Sequence, residues 1–350
     1  MSTSTTIAPT AARRGRAPGG RRARAPLARL GQHALVLWVA VTLNFALPRL
    51  APGDPALIMY TGEGDPTPEQ LAELGQIYGL NDPVLVQYGR FWQNLLRGDL
   101  GLSTGHNRPV LDVLLERLPW SVALVGLGLI GAILVGSLLG AFAAWHRGAG
   151  RHGEDRTLLV GVLALDSMPG FWIGMLLIAV LSAQLGWLPS YASAQMPEGG
   201  AAWLLESARR MLMPLATMIL SSIGTYFLLA RASMTTVLNE PFLRLARAKG
   251  LPERTVALGH ALRTALLPIA TNAAMAAGAL VSGAVVVETV FSYPGLGTVI
   301  ADAVAVRDYP LLQGAFLLAT LGVICANILA DLLYPLLDPR VRHSREVIAA

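Results

Sequence analysis

Residues 119–144 read PWSVALVGLGLIGAILVGSLLGAFAA, a run of twenty-six residues with no ionisable side chain. A helix crossing the bilayer core needs roughly 20 mostly apolar residues, and this run exceeds that length. Outward from it lie five more apolar stretches, at about 31–50, 158–184, 211–234, 264–290 and 311–337. In lipid each is expected to be helical, because an extended segment would leave its backbone N–H and C=O groups without partners. Asn44 and Pro48 interrupt the first stretch. Composition agrees with this pattern: 53% of the 350 residues are hydrophobic, 14% are charged, and mean hydropathy is +0.52. So little charge would not cover the surface of a soluble domain of this size. The expected fold class is an all-α membrane protein with six transmembrane helices.

Arginine placement sets the expected orientation. No acidic residue precedes Asp54, while the tail 1–30 carries Arg13, Arg14, Arg16, Arg21, Arg22, Arg24 and Arg29. The connections 145–157 and 235–263 and the tail 338–350 are also basic, whereas segment 51–118 holds nine acidic residues against four basic ones. The positive-inside rule then places both termini in the cytoplasm and 51–118 outside. The expected organisation is a disordered Arg-rich tail over 1–30, the first span at 31–50, an external segment at 51–118, and a core of five spans over 119–337. The core includes a cytoplasmic loop at 235–263, and a cytoplasmic tail follows at 338–350. Within the external segment, Pro68 to Leu96 reads as helical.

Several chemistries are excluded. The only lysine, Lys249, is followed by Gly250 and Leu251, so the Gly-Lys-Ser/Thr of a phosphate-binding loop is missing and any ATP must be hydrolysed by another chain. The six histidines (His33, His106, His146, His152, His260 and His343) are scattered, and no metal site is indicated. HExxH and GxSxG motifs are absent, so no hydrolase is indicated. The single cysteine, Cys325, lies in an apolar run. The basic tail resembles a nucleic-acid arm or a signal-peptide n-region, and Arg13-Arg14 mimics a twin-arginine pair. Yet the tail is joined directly to a span, and Pro48, Arg49 and Leu50 stand where small residues for cleavage would be needed. A tail that orients the first helix, against anionic lipid, is the expectation, with no nucleic acid as partner.

The connection at 235–263 looks structured. Asn239 is a candidate N-cap and Pro241 suits the first turn. Phe242, Leu245, Ala246 and Lys249 share a face, and Gly250 fits a left-handed stop. Pro252 and Glu253 then restart a helix that enters the membrane.

Here the residues carry a resemblance. Arg244-Leu-Ala-Arg-Ala-Lys-Gly-Leu251, followed by His260-Ala-Leu-Arg-Thr-Ala-Leu-Leu-Pro268, resembles the EAA loop of binding-protein-dependent ABC permeases, closest to the dipeptide, oligopeptide and nickel branch. Leu50-Ala-Pro-Gly-Asp-Pro55, Tyr78-Gly-Leu-Asn-Asp-Pro83, Gln87-Tyr88 and Gly98-Asp-Leu-Gly-Leu-Ser103 resemble that branch's first external region. Phe291-Ser-Tyr-Pro-Gly-Leu-Gly297, Arg307-Asp-Tyr-Pro310 and Asp338-Pro-Arg340 resemble its fifth connection and its ending. Their shared order and spacing make the match specific. Arg244 and Arg263 depart from the wider superfamily, which has Glu and Pro there. The resemblance implies an ATPase-coupling loop made of Phe242, Leu245, Ala246, Arg247, Lys249, Gly250 and Leu251. It also implies a second permease subunit, two ATP-binding subunits that hold ATP and Mg, an external solute-binding protein, and a bacterial or archaeal cell membrane. No cofactor is expected on this chain.

Polar groups at bilayer depth are expensive and face a cavity or another helix. Asp166, in Leu165-Asp-Ser-Met-Pro-Gly170, and Asn272 are candidates for lining the path, with a helix–helix hydrogen bond as the plainer role for Asp166. Glu288 and Asp331 suit gating or packing. Pro169 and Gly170 should kink the third span. The functional expectation is a permease subunit of an ATP-driven importer of peptides or related solutes. The competing class is an ion-coupled secondary transporter, which would commonly show internal repeats with broken helices in matching positions. The Pro169-Gly170 break has no counterpart in the sixth span.

Overall fold

A computed structural model describes residues 24–50, 66–77, 81–148, 150–190 and 199–337. Its helices in chain order are α1 (Arg24–Leu50), α2 (Pro68–Ile77), α3 (Val84–Leu96), α4 (Val110–Gly148) and α5 (His152–Asp166). There follow α6 (Gly170–Leu177), α7 (Gly200–Val237), α8 (Pro241–Ala248), α9 (Leu262–Val290), α10 (Leu296–Val306) and α11 (Tyr309–Leu337). A two-stranded hairpin, β1 (Leu102–Ser103) with β2 (Arg108–Pro109), is antiparallel, with Leu102 opposite Pro109. Among the described residues, α4, α7 and Tyr309–Leu329 of α11 are each long and apolar enough to cross a membrane alone. Helix α5 and the arm Gly170–Gln184, which is α6 continued by a π-helical stretch (Ile178–Gln184), pass the same test together, but the two arms meet at 99°. Helices α1 and α9 occupy the positions of the first and fifth expected spans.

The core is built on α4 packed along α7. On α4 a small residue recurs every four positions, at Gly128, Ala132, Gly136 and Gly140, which places all four on one stripe. A Cβ at Gly136 would lie 2.9 Å from the Ile223 carbonyl oxygen and from the Tyr226 Cβ, and one at Gly140 would collide with the Phe227 carbonyl. The two backbones are therefore in near contact, the arrangement that small-residue stripes allow where lipid supplies no hydrophobic drive between helices. Polar contacts then fix the register. Arg231 near the end of α7 donates two hydrogen bonds of 2.6 Å to Asp155 at the start of α5, and both side chains are largely buried. At the opposite end of the helices, Trp120 packs on Trp203 and Tyr293 with ring centroids 5.9 and 6.0 Å apart.

The first helix shows why its apolar run is interrupted. Asn44 is buried, its amide nitrogen donating to the Gln313 carbonyl at 2.5 Å, and Gln313 returns a 2.7 Å bond to the Asn44 carbonyl. The residue that weakens the span as a lipid-facing helix thus attaches α1 to α11. Helix α1 begins at Arg24 instead of near residue 31. The rest of the expected N-terminal tail and the tail 338–350 lie outside the described residues. So do Ala51 to Pro55, Tyr78 to Leu80 and the Asp338-Pro-Arg340 ending. The expected helical stretch from Pro68 to Leu96 is two helices, and α3 folds back on α1 through the edge-to-face pair Phe45–Tyr88 at 5.1 Å. The hairpin was not legible in the sequence.

Candidate coupling surface and membrane-depth residues

Loop helix α8 forms where the sequence placed it, with Pro241 at its first position, where no intrahelical N–H is lost. The cap is different from the expected one. Glu240, not Asn239, precedes the helix, and neither caps it with a side chain, because Asn239 Nδ2 donates back to the Thr235 carbonyl at 3.0 Å. The cause is Pro241, which forces the residue before it into extended backbone and so moves the helix boundary to Glu240 (ψ 144).

The stop is a full Schellman motif. Gly250 sits at φ +78, its N–H donates to the Arg247 carbonyl at 2.9 Å, and the Leu251 N–H donates to the Ala246 carbonyl at 3.4 Å. An ion pair between Arg247 and Glu253 at 2.8 Å spans the turn. The helix then resumes through a π-helical turn (Thr255–Ala261) into α9, a widening that the sequence did not announce.

One residue that sequence reasoning passed over anchors the loop. Leu243 is fully buried among Ala141 and Ala144 of α4, Met234 and Val237 of α7, and Val256, Ala257, Ala261 and Ala265 leading into α9. The helical spacing of Phe242, Leu243 and Leu245 was the available signal, since two neighbouring apolar residues on a short helix cannot face the same way. With Leu243 inward, Phe242 (45% exposed), Leu245 (59%) and Leu251 (37%) stand outward beside exposed Lys249 and Gly250, with Ala246 half-buried at their edge. This is an apolar ridge on an element fixed to three long helices.

The membrane-depth residues separate into different roles. Glu288 is 1% exposed, and its carboxylate accepts the Ser121 hydroxyl at 2.6 Å and the Gly297 N–H at 2.5 Å. Ser121 Oγ in turn accepts the Leu296 N–H at 2.8 Å. The carboxylate therefore closes the first turn of α10, where unpaired amides and the helix dipole favour an anion. A Cβ at Gly295 or Gly297 would collide with it, which explains the glycines of the Pro294-Gly-Leu-Gly297 run. These hydrogen bonds join α4, α9 and the start of α10. Glu288→Ala leaves buried donors on Ser121 and Gly297 unmatched at roughly 1–3 kcal/mol each. A lower melting temperature in detergent is expected, with Ser121→Ala milder. Equal melting of Glu288→Ala and the unaltered chain would remove Glu288 from this role.

Asp308 is a parallel case absent from the sequence expectations. Fully buried, it accepts Ser103 Oγ at 2.5 Å, the Gly105 N–H at 2.9 Å and the Leu311 N–H at 3.1 Å. It caps α11 and fastens the hairpin to it, bringing together the Gly98–Ser103 and Arg307–Pro310 motifs. An aspartate three residues before the first unpaired helical amide was the signal.

Asp166 ends α5 at the 99° break, on the exposed side of the chain, with its carboxylate against Gly224 of α7. Asn272 on α9 keeps its carboxamide oxygen buried without a hydrogen-bond partner among the described residues. No hydrogen bond joins the two. The Asp331 side chain lies outside the described residues.

A bundle of long apolar helices carrying an outward ridge on a rigidly anchored loop has the architecture of a multi-pass membrane permease. The chain belongs to the binding-protein-dependent transport system inner membrane component family, whose model matches residues 123–343, and the N-terminal model of the same system matches residues 24–125. Among its relatives is a peptide transport system permease protein of Brucella abortus (strain 2308), 34% identical over 321 residues, spanning 91% of this chain and 98% of that protein. The glutathione transport system permease protein GsiC of Escherichia coli (strain K12) is 34% identical over 308 residues, spanning 88% and 95%. The family is a permease component and not itself catalytic, which agrees with the missing phosphate-binding loop.

Proposed function

We propose that this chain pairs with a second permease subunit, homologous or identical, to form the path of an ATP-driven importer of peptides. It has six spans, both termini in the cytoplasm and segment 51–118 outside. Two partner subunits bind ATP and Mg and hydrolyse the nucleotide, and an external binding protein delivers the solute. The observation that carries this is the ridge of Phe242, Leu245 and Leu251, exposed on a helix that Leu243 holds against the ends of α4, α7 and α9. An apolar ridge of this kind fits a hydrophobic cleft in a partner subunit. Displacement of α8 would be passed to three long helices at once, because a packed anchor moves as a body and does not deform continuously. Alternating exposure of a central cavity follows from two such arrangements, with ATP binding favouring one of them. The peptide assignment is supported by relatives of nearly equal length named for peptide and glutathione transport.

The test is copurification followed by reconstitution. Affinity-purified chain is expected to carry ATP-binding subunits in stoichiometric amount, and the complex in liposomes is expected to take up peptide only with ATP and binding protein. Uptake by the chain alone, driven by an ion gradient, would replace this reading with a secondary transporter.

A further inference from the structure

Among the described residues, the acidic side chains buried within the helical body are all engaged. Asp155 is held by Arg231, Glu288 by Ser121 and the Gly297 amide, and Asp308 by Ser103 and two amides. The carboxylate of Asp166 has no hydrogen bond or ion pair among the described residues. The one cation on α7 near it, Arg231, lies two turns from Gly224 and is committed in both directions to Asp155. Asp166 is also placed where a negative charge is least favoured locally, at the C-terminal end of α5, where the helix dipole is already negative. Its position is built and not accidental. The break at Ser167–Pro169 turns the chain by 99°, Ser167 Oγ covers the Leu163 carbonyl at 2.7 Å, and α7 is cut back opposite: Ser221 faces Gly170, and the space a Cβ at Gly224 would take is filled by the Asp166 carboxylate.

An uncompensated carboxylate at the middle of a broken span is costly against lipid tails and is stable only beside water or a cation. A linear peptide supplies one cation whatever its side chains, the protonated α-amino group. We propose that Asp166 is the receiving carboxylate for the α-ammonium group of a transported peptide, a specificity-determining contact within the path. The proposal rests on the peptide-importer reading above. It matches a path that must accept many sequences, since the group recognised is common to all of them. The exposure of Asp166 also keeps the contact weak enough to release, as conduction through a series of sites requires.

The experiment uses the full reconstituted complex and two probes, trialanine and N-acetyl-trialanine, at concentrations that load the binding protein to the same fraction. Asp166→Asn is expected to lower trialanine uptake about tenfold, the scale of one charge-assisted hydrogen bond, and to leave N-acetyl-trialanine uptake and binding-protein-stimulated ATP hydrolysis unchanged. Gly224→Ala should act in the same direction by displacing the carboxylate. Equal changes for both probes, or none, overturn the proposal. So does loss of the assembled complex with both variants, which makes the residue a packing element. Absence of ATP-driven uptake of either probe by the unaltered complex instead removes the importer reading, and the proposal falls with it.

Discussion

Replacement of Gly140 by valine is expected to abolish the folded chain, the largest effect of any substitution considered for this protein. The position has no slack. A methyl there would overlap the Phe227 carbonyl and sit 2.9 Å from the Ala230 Cβ and 3.0 Å from the Arg231 amide nitrogen. Two of these three neighbours are backbone, which cannot rotate away as a side chain can. Overpacking commonly costs about 1–3 kcal/mol where side chains can adjust, and backbone neighbours place this site at or above the upper end. The damage also spreads along the helix pair. Driving α4 and α7 apart at Gly140 weakens the Asp155–Arg231 pair immediately beyond it, and a buried ion pair that loses one partner costs about 3–5 kcal/mol. Gly126 on the same helix is the control, because nothing lies within 4 Å of its Cβ position. Gly126→Ala should give normal amounts of monodisperse protein in detergent, and Gly140→Val little or none. Matching yields and melting temperatures would show that α4 and α7 do not approach as described.

The surroundings of the two glycines illustrate what a sequence can and cannot disclose. Apolar length and arginine placement are properties of single segments, so the helices at 119–144, 211–234 and 311–337, the break at Pro169-Gly170 and the stop at Gly250 were all legible. Each depends on residues within a turn or two of one another. The contacts that assemble the bundle are not of this kind. Arg231 reaches Asp155 across 76 positions, Ser121 reaches Glu288 across 167, and Ser103 reaches Asp308 across 205. A lone acid in an apolar run announces that it needs a partner, which is why Asp166 and Glu288 stood out, but it does not say which partner. Asp155 lies in a polar connection, where an acid attracts no attention, and Asp308 stands in a motif that shows a resemblance but not a partner. Leu243 was hidden for the opposite reason, being one more leucine on a helix whose outward residues bore the family's pattern. The π-helical turn at Thr255–Ala261 leaves no compositional mark.

Gly250→Asp is expected to separate ATP hydrolysis from transport while leaving the chain in the membrane. Gly250 occupies the left-handed region at φ +78, where a residue with a Cβ is strained by roughly 1 kcal/mol or more. Its Cβ position has nothing within 4 Å, so no clash within the chain adds to that strain. Aspartate and asparagine enter the left-handed region more readily than alanine does. On backbone grounds alone the order of damage would therefore be alanine first, with aspartate and asparagine milder. The docking reading predicts a different order. Gly250 is exposed at the end of the apolar ridge formed by Phe242, Leu245 and Leu251, and a carboxylate there must be desolvated when a partner's cleft closes over it. Arg247 offers it little relief, being bound to Glu253 at 2.8 Å. Asparagine isolates the charge because it has nearly the same shape and the same backbone tolerance. The expected ranking is aspartate worst, alanine and asparagine mild, in both retention of the ATP-binding subunits during purification and stimulation of ATP hydrolysis by loaded binding protein. Membrane insertion should be equal for all three, because no apolar run is interrupted. If alanine proves the most harmful and aspartate matches asparagine, the turn matters only for its backbone, and the ridge is not where the driving subunit binds.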